Sequence, residues 1–327
     1  MRIAVTGSIA TDHLTSFPGR FTEQLIADRL DTISLSFLVD ELEVRRGGVA
    51  ANIAFGLGNL GYTPLLVGAA GTDFAEYDTW LRRHGVDTAS VKVSETRHTA
   101  RFMCTTDADH NQIATFYAGA MAEAREISLA KVAQRAGQLD WVVVAPDDPA
   151  AMLRHASECR EVGAPLAADP SQQLARLNGD ETRRLVDGAQ LLFTNEYEAA
   201  LLQERTSWTE RQVLDRVGTW ITTHGGNGVT IRARDAAAVV VPAVPAKETA
   251  DPTGVGDGFR AGYLAGLGWG LSQKRAAQLG CTVATTVLES VGTQEYQVQP
   301  ELFAARIADT YGSDAAASIS PHLRGSR

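Results

Sequence analysis

Lysine is scarce in this chain: four of its thirty basic residues, at 92, 131, 247 and 274. None follows a glycine, which excludes a Gly-Lys-Ser/Thr phosphate loop. If phosphate is bound, backbone amides, arginine and a metal ion must answer its charge. Cysteine is scarcer still. Cys104, Cys159 and Cys281 are far apart and fit no metal spacing, which argues against a disulfide framework or a zinc site and for reduced thiols. The seven histidines show no i, i+4 pairing, so no transition-metal site is indicated. There is no G-x-S-x-G elbow. No apolar run approaches the roughly 18 residues of a membrane span, and the chain opens directly on a strand instead of a signal sequence. A soluble, cytoplasmic protein that does not engage the membrane is expected. The net charge of −9 argues against nucleic acid as a partner.

What is present is ample apolar material. A hydrophobic fraction of 44% over 327 residues can bury one large α/β domain, with or without an appendage. Arg2–Val5 reads as a strand that breaks at Gly7-Ser8. Residues 33–39 alternate (Ile33, Leu35, Phe37 and Val39 against Ser34, Ser36 and Leu38), as a half-exposed strand would. Residues 99–106 and 113–118 read as a hairpin. These β-rich pieces are split by helical sequence and predict a small accessory sheet, drawn from about 9–20, 32–47 and 97–118 of a single 1–327 domain. From residue 139 the runs Trp141–Ala145, Pro165–Ala168, Gln190–Phe193 and Thr219–Thr223 alternate with amphipathic stretches, the order of a parallel sheet covered by helices. Their polar tails would lie at the carboxyl ends of the strands, where ligands of open α/β sheets sit. A hairpin over Val229–Val241 and helices over Val255–Gly268 and Gln273–Glu289 follow. The last dozen residues show no periodicity and are expected to fray.

Gly56-Leu57-Gly58-Asn59-Leu60-Gly61 matches the dinucleotide fingerprint in letters only. It ends the helical run Val49–Leu60, whereas the fingerprint must follow a strand and open a helix, so a helix terminus is expected. Gly47-Gly48 instead opens that helix, with Asn52 one turn in. With Ser8 and Asp12 after the first strand, it reads either as ordinary turn chemistry or as one pocket for hydroxyls. Asn195 and Glu198 have capping-box spacing, and equally could face a hydrated magnesium beside phosphates. Thr223-His224-Gly225-Gly226-Asn227-Gly228 is a hairpin turn or a nucleotide-wrapping loop. The most informative stretch is Asp251-Pro252-Thr253-Gly254-Val255-Gly256-Asp257. Its glycines permit close approach, the helix start leaves N–H groups for an anion, and Asp257 stands beside them as a base for an alcohol.

Taken together and in this order, the Gly47-Gly48 element with Asn52, Asn195-x-x-Glu198, Thr223–Gly228 and Asp251–Asp257 resemble the ribokinase-like (PfkB) family of carbohydrate and nucleoside kinases over nearly the whole chain. Residues 5–13, 34–40 and 169–177 look most like its mycobacterial-type bacterial adenosine kinases. The resemblance implies a three-layer α/β/α domain with a mainly parallel sheet and a β-sheet lid, dimerised through the lids, with ATP and adenosine as ligands. It implies Asp257 as base, the amides of Gly254, Val255 and Gly256 as anion hole, and a nucleoside site of Ser8, Asp12, Ser36, Gly48, Asn52, Phe102, Phe116, Gln172, Gln173 and Arg176. Phe102 and Phe116 would sandwich adenine, and Phe37 would reach a partner's site. Asn195, Thr223, Gly225 and Gly228 would line the ATP site, with Mg²⁺ near Asn195 and Glu198 and a K⁺ site near Asp251, Thr253 and Gly292. Gly258 stands where the family usually has alanine. The rival readings are a sugar kinase or another nucleoside kinase of the same family, a non-catalytic nucleoside-binding protein, and a Rossmann dehydrogenase.

Overall fold

The computed structural model describes residues 1–25, 32 and 34–323. Its main sheet has nine strands. In chain order they are β1 (Ile3–Thr6), β4 (Leu65–Ala70), β5 (Asp87–Val93), β8 (Trp141–Val144), β9 (Leu166–Ala168), β10 (Leu191–Asn195), β11 (Thr219–Thr223), β12 (Val229–Ala233) and β13 (Val239–Val241). Across the sheet they run β13-β12-β11-β10-β9-β8-β1-β4-β5. All neighbours are parallel except the β11–β12 and β12–β13 pairs. Successive residues of a strand feed opposite layers. Val5, Val143 and Phe193 enter the core beneath the 49–59, 255–268 and 273–288 helices, while Ala4, Val142 and Leu192 enter a second core beneath the 149–161 and 196–206 helices. This is the three-layer architecture expected, and no helix among the described residues is long and apolar enough to cross a membrane.

The accessory sheet has four strands, β2 (Ala10–Ser16), β3 (Glu41–Gly47), β6 (Ala100–Thr106) and β7 (Gln112–Tyr117), in the order β3-β2-β6-β7. The strand expected over 33–39 is not there. Ile33 lies outside the described residues, and 34–39 carry no strand. Alternation alone cannot say which neighbour a segment pairs with. Here Phe37 leaves the sheet and packs against Phe17 and Phe21, with ring centroids 4.9 and 5.0 Å away, and the strand begins only at Glu41. The expectation of a frayed end is also overturned as far as Leu323. Ser313–Leu323 is a helix whose Ala315, Ile319 and Leu323, one turn apart, are buried in the main core. Residues 324–327 lie outside the described range.

Gly56–Gly61 does end a helix. The helix spans Val49–Asn59, and Gly61 follows in the left-handed region at φ 85°. Its glycines serve packing, since a Cβ on Gly58 would overlap the carbonyl of His84.

Candidate active site

The carboxyl ends of the parallel strands and the inner face of the small sheet enclose a cavity of about 710 Å³. The Val255–Gly268 helix begins on its floor. Gly254, the residue before it, is left-handed at φ 74°, and no side chain caps the helix. The helices starting at Asn195, Thr209 and Ser272 each have a side-chain cap. An uncapped helix start leaves several N–H groups unpaired and a partial positive charge facing the cavity. Asp257, in the first turn, accepts a 2.9 Å hydrogen bond from Asn52 Nδ2. Asn52 is oriented in turn by Thr293 Oγ1 and Gln294 Nε2, each donating to its Oδ1 at 2.9 Å. Burial pushes the Asp257 carboxyl up to about 7, against the pull of Arg260 and of the Asn52 bond. A carboxylate held there is poised to take a proton near neutral pH.

On the opposite wall, Gly48 brings the 49–59 helix against the β1–β2 connection, and Val49 N donates to Ser8 Oγ at 3.0 Å. Ser8, Asp12, Gly48 and Asn52 all line the cavity. Asp12 lies in the middle of the small sheet. Burial, then Asp251, raise its carboxyl to about 6, with Arg45 opposing. The sheet register puts Arg45, Asp12, Phe102 and Phe116 in one row across the four strands. Residues directly paired across strands project from the same face. Phe102 and Phe116 therefore stand side by side as a platform, and the sandwich expected of them is corrected on that ground. Phe116 reaches the cavity wall together with Gln172, Gln173 and Arg176. Gln173 is 6% exposed and its Oε1 has no hydrogen-bond partner among the described residues, leaving a buried amide oxygen free to accept from a ligand.

Asn195 and Glu198 cap a helix at the edge of the cavity. Glu198 N donates to Asn195 Oδ1 and Asn195 N to Glu198 Oε2, both at 2.7 Å, so they form a capping box. Both also border the cavity. The Thr223–Gly228 loop is likewise both the β11–β12 turn and a wall. Thr223, Gly225 and Gly256 are shared with a second, mostly apolar cavity of about 570 Å³, which also takes Val255 and Gly228. Its floor, formed by Val244, Phe259, Ala284 and Leu288, escaped the sequence reading because small apolar residues there look like any core.

Ser36, Phe37, Phe102, Asp251 and Gly292 do not border the main cavity. Ser36 is exposed. Asp251 accepts from Thr253 N at 2.9 Å, from Gly292 N at 3.3 Å and from Arg45 Nη1 at 2.9 Å. Arg45 thus ties the small sheet to the loop before the helix. Gly258 is explained by packing: an added Cβ would lie 2.8 Å from Val287 Cγ2. Arg260, a cavity residue, was missed altogether.

The model of the pfkB family carbohydrate kinases matches residues 19–300. A nucleoside kinase of Burkholderia thailandensis, in complex with inosine, superposes with a TM-score of 0.82 at 34% identity over 95% of this chain and 98% of that one. Its complex with ADP-inosine gives 0.80 at 34%, over 95% and 96%. A nucleoside kinase of Methanothermobacter thermautotrophicus is 29% identical over 270 residues, 82% of this chain and 86% of its own. By the extent of the family match and the near-complete coverage of a structure at 34% identity, the chain belongs to the pfkB family of carbohydrate kinases.

Proposed function

We propose that this protein transfers the γ-phosphoryl group of ATP to the 5′-hydroxyl of a purine nucleoside, adenosine in the first instance. The observation that carries this reading is the juxtaposition of Asp257, an uncapped helix start and the Ser8–Asp12–Asn52 wall in one cavity. Asp12 and Asn52 suit the vicinal hydroxyls of a ribose, and Phe116 with the Gln173 amide suits a flat polar ring. The adjoining apolar cavity suits the donor's base, with its phosphates pointing across Gly225 and Gly256 toward Asp257. The 5′-oxygen attacks in line. Its bond to phosphorus forms as the bond to the leaving oxygen breaks, the electron pair departs on ADP, and the proton passes to Asp257. In a loose transition state that proton leaves late, so placement of the carboxylate matters more than its basicity. The free amides of the first helical turn meet the charge on the moving group.

Mg²⁺ fits the residues present. Among the described residues no cluster of three or more His, Cys, Asp or Glu is placed to cage a metal, and magnesium in such sites binds mainly water and phosphate, with one or two carboxylates. Glu198, whose Oε1 meets only Ser171 Oγ among the described residues, at 3.3 Å, and Asn195 would hold it through water, and bound there it would neutralise phosphate charge. A potassium ion would compete with Arg45 for the Asp251 carboxylate.

A panel of acceptors with Mg·ATP, read as ADP release, tests the reading. Adenosine is expected to be phosphorylated well and ribose and fructose poorly, because a bare sugar leaves Phe116 and Gln173 unused. Inosine is the second reading, favoured by the Burkholderia thailandensis complex. Faster turnover of ribose or fructose would defeat both.

A homodimer through the outer face of the small sheet belongs to the same proposal. Leu42, Val44, Met103, Ile113 and Tyr117 are exposed there, and the register puts them on the face opposite Asp12. An apolar sheet face of this kind is normally covered. Phe37 packs against Phe17 and Phe21 of its own chain. Light scattering should give twice the 35.0 kDa chain mass, and Val44→Glu with Ile113→Glu should return a monomer. A wild-type protein of single-chain mass would rule the dimer out.

A further inference from the structure

We infer that Arg260 is a further catalytic residue of the phosphoryl transfer proposed above, on which this inference rests: the free edge of its guanidinium touches the phosphoryl group as it passes between the two oxygens. Arg260 lies three residues after Asp257 and four after Gly256 on one helix, so the three share a face. Helical side chains lean toward the N-terminus, and this one runs back over the first turn. Its Nη1 occupies the space beside Gly256, only 2.8 Å from where a Cβ on that residue would be. Gly256 therefore has a second reason to be glycine: any side chain would displace the guanidinium.

The guanidinium faces Asp169 as a fork with one hydrogen bond and one ion-pair contact. Nη2 donates to Asp169 Oδ1 at 2.6 Å, while Nε lies 2.5 Å from Asp169 Oδ2 without hydrogen-bond geometry. Asp169, at the carboxyl end of β9, is completely buried, and Arg260 is 7% exposed. Burial works against the arginine's charge, but Asp169 and the nearby Asp257 more than offset it and keep it charged. Nη1 has no hydrogen-bond partner among the described residues, and Arg260 borders the cavity beside Asn195, Glu198, Gly256 and Asp257.

This arrangement is costly to a fold that has no use for it. A buried ion pair is often no more stabilising than a neutral pair, and a cation at a helix N-terminus opposes the helix dipole. Both costs turn into gains when an anion arrives. In a chain with four lysines and no phosphate-loop lysine, a fixed arginine beside the free amides supplies the missing charge. As the bond to ADP breaks and the bond to the 5′-oxygen forms, the three equatorial oxygens of the moving group carry charge. Nη1–H is placed to donate to one of them while Asp257 takes the 5′ proton.

The test is the charge-neutral double variant Arg260→Gln with Asp169→Asn, which removes the cation without stranding its partner. Two quantities are read: kcat with KM for the nucleoside, and the affinity for Mg·ATP relative to Mg·ADP by calorimetry. We expect kcat to fall about 10²-fold or more, KM for the nucleoside to stay within about threefold, and the advantage of ATP over ADP to shrink. Retention of kcat within about threefold would show that the two residues serve only each other, and would overturn the inference. If the double variant does not fold, Arg260→Lys decides: a loss of kcat of about tenfold at unchanged nucleoside KM supports it, since an ammonium cannot reproduce the fork, and unchanged kcat overturns it. If the wild type phosphorylates no nucleoside, calorimetry still decides. An ATP advantage that depends on Arg260 supports the residue's role while the acceptor reading fails, and one that does not depend on it removes both.

Discussion

Asp257→Asn should lower kcat by roughly 10²- to 10⁴-fold, the usual contribution of a general base, while nucleoside affinity is largely kept. Asparagine preserves the side chain's shape and can still bond to Asn52, so the acceptor should bind in the same pose with nothing to take its proton. The loss belongs in kcat because the interaction removed acts in the transition state. The same carboxyl should shape the wild-type pH profile. Held up to about 7 by burial, it is protonated and idle below that pH, so kcat/KM should fall about tenfold per pH unit on the acid side. The stability effect runs the other way. The folded state binds this proton more tightly than the unfolded chain does, so the carboxyl's contribution is favourable in acid and is lost as pH rises from the ordinary carboxylate range through about 7. At pH 8 the variant, relieved of a buried negative charge, should melt above the wild type. A variant that keeps more than roughly a tenth of kcat would remove Asp257 from the role of base.

Gly48→Ala is the second change with a large expected effect. Gly48 has φ 96° and ψ 128°, a region closed to L side chains. An added Cβ would lie 2.6 Å from both Ala10 N and Ser8 O, and 2.7 Å from Ile9 Cα. These are backbone atoms of the connection between β1, paired on both sides in the main sheet, and β2, paired on both sides in the small one, so neither neighbour can yield cheaply. Overpacking and backbone strain together should cost about 4 kcal/mol, and lower the melting temperature by on the order of 10 °C. The Val49–Ser8 bond goes with the displaced backbone, so KM for the nucleoside should rise as well. Gly226→Ala is the control. Its Cβ would meet nothing within 4 Å, and its φ is not positive, so it should melt like the wild type. Equal melting of the two variants would contradict the close approach at Gly48.

Much of this was legible in the sequence because it is written locally. Apolar runs with polar tails marked the parallel strands, and the glycine turn with its carboxylate located the Val255–Gly268 helix start, where the structure has it. What was not legible depends on pairing. The alternation over 33–39 is compatible with a strand, but nothing within it says that Phe37 will pack with Phe17 and Phe21 instead. Phe102 and Phe116 could be seen as aromatics, yet their side-by-side geometry follows from the β6–β7 register. Arg260, in mid-helix, carries no local signal, and its role shows only once Asp169, 91 residues earlier in the chain, is found beside it. The helix at Ser313–Leu323 was missed although Ala315, Ile319 and Leu323 recur every four residues, a sparse signal among alanines and serines. For Asn195–Glu198 and Thr223–Gly228 the two readings kept apart in the sequence are compatible. One pair of residues can cap a helix and border a cavity, and one loop can turn a hairpin and line a cavity.

The proposed reaction is phosphoryl transfer from ATP to the 5′-hydroxyl of a purine nucleoside in the cavity above Asp257. The most direct measurement incubates the protein with Mg·ATP labelled at the γ-phosphate and adenosine, and identifies the labelled product by chromatography and mass spectrometry, with 5′-deoxyadenosine in parallel. Labelled 5′-AMP with equimolar ADP is expected. 5′-Deoxyadenosine, which keeps the ring and both ribose hydroxyls, should take no label and compete with adenosine. Label on a 2′- or 3′-oxygen, or label passing to ribose or fructose in preference to the nucleoside, would contradict it.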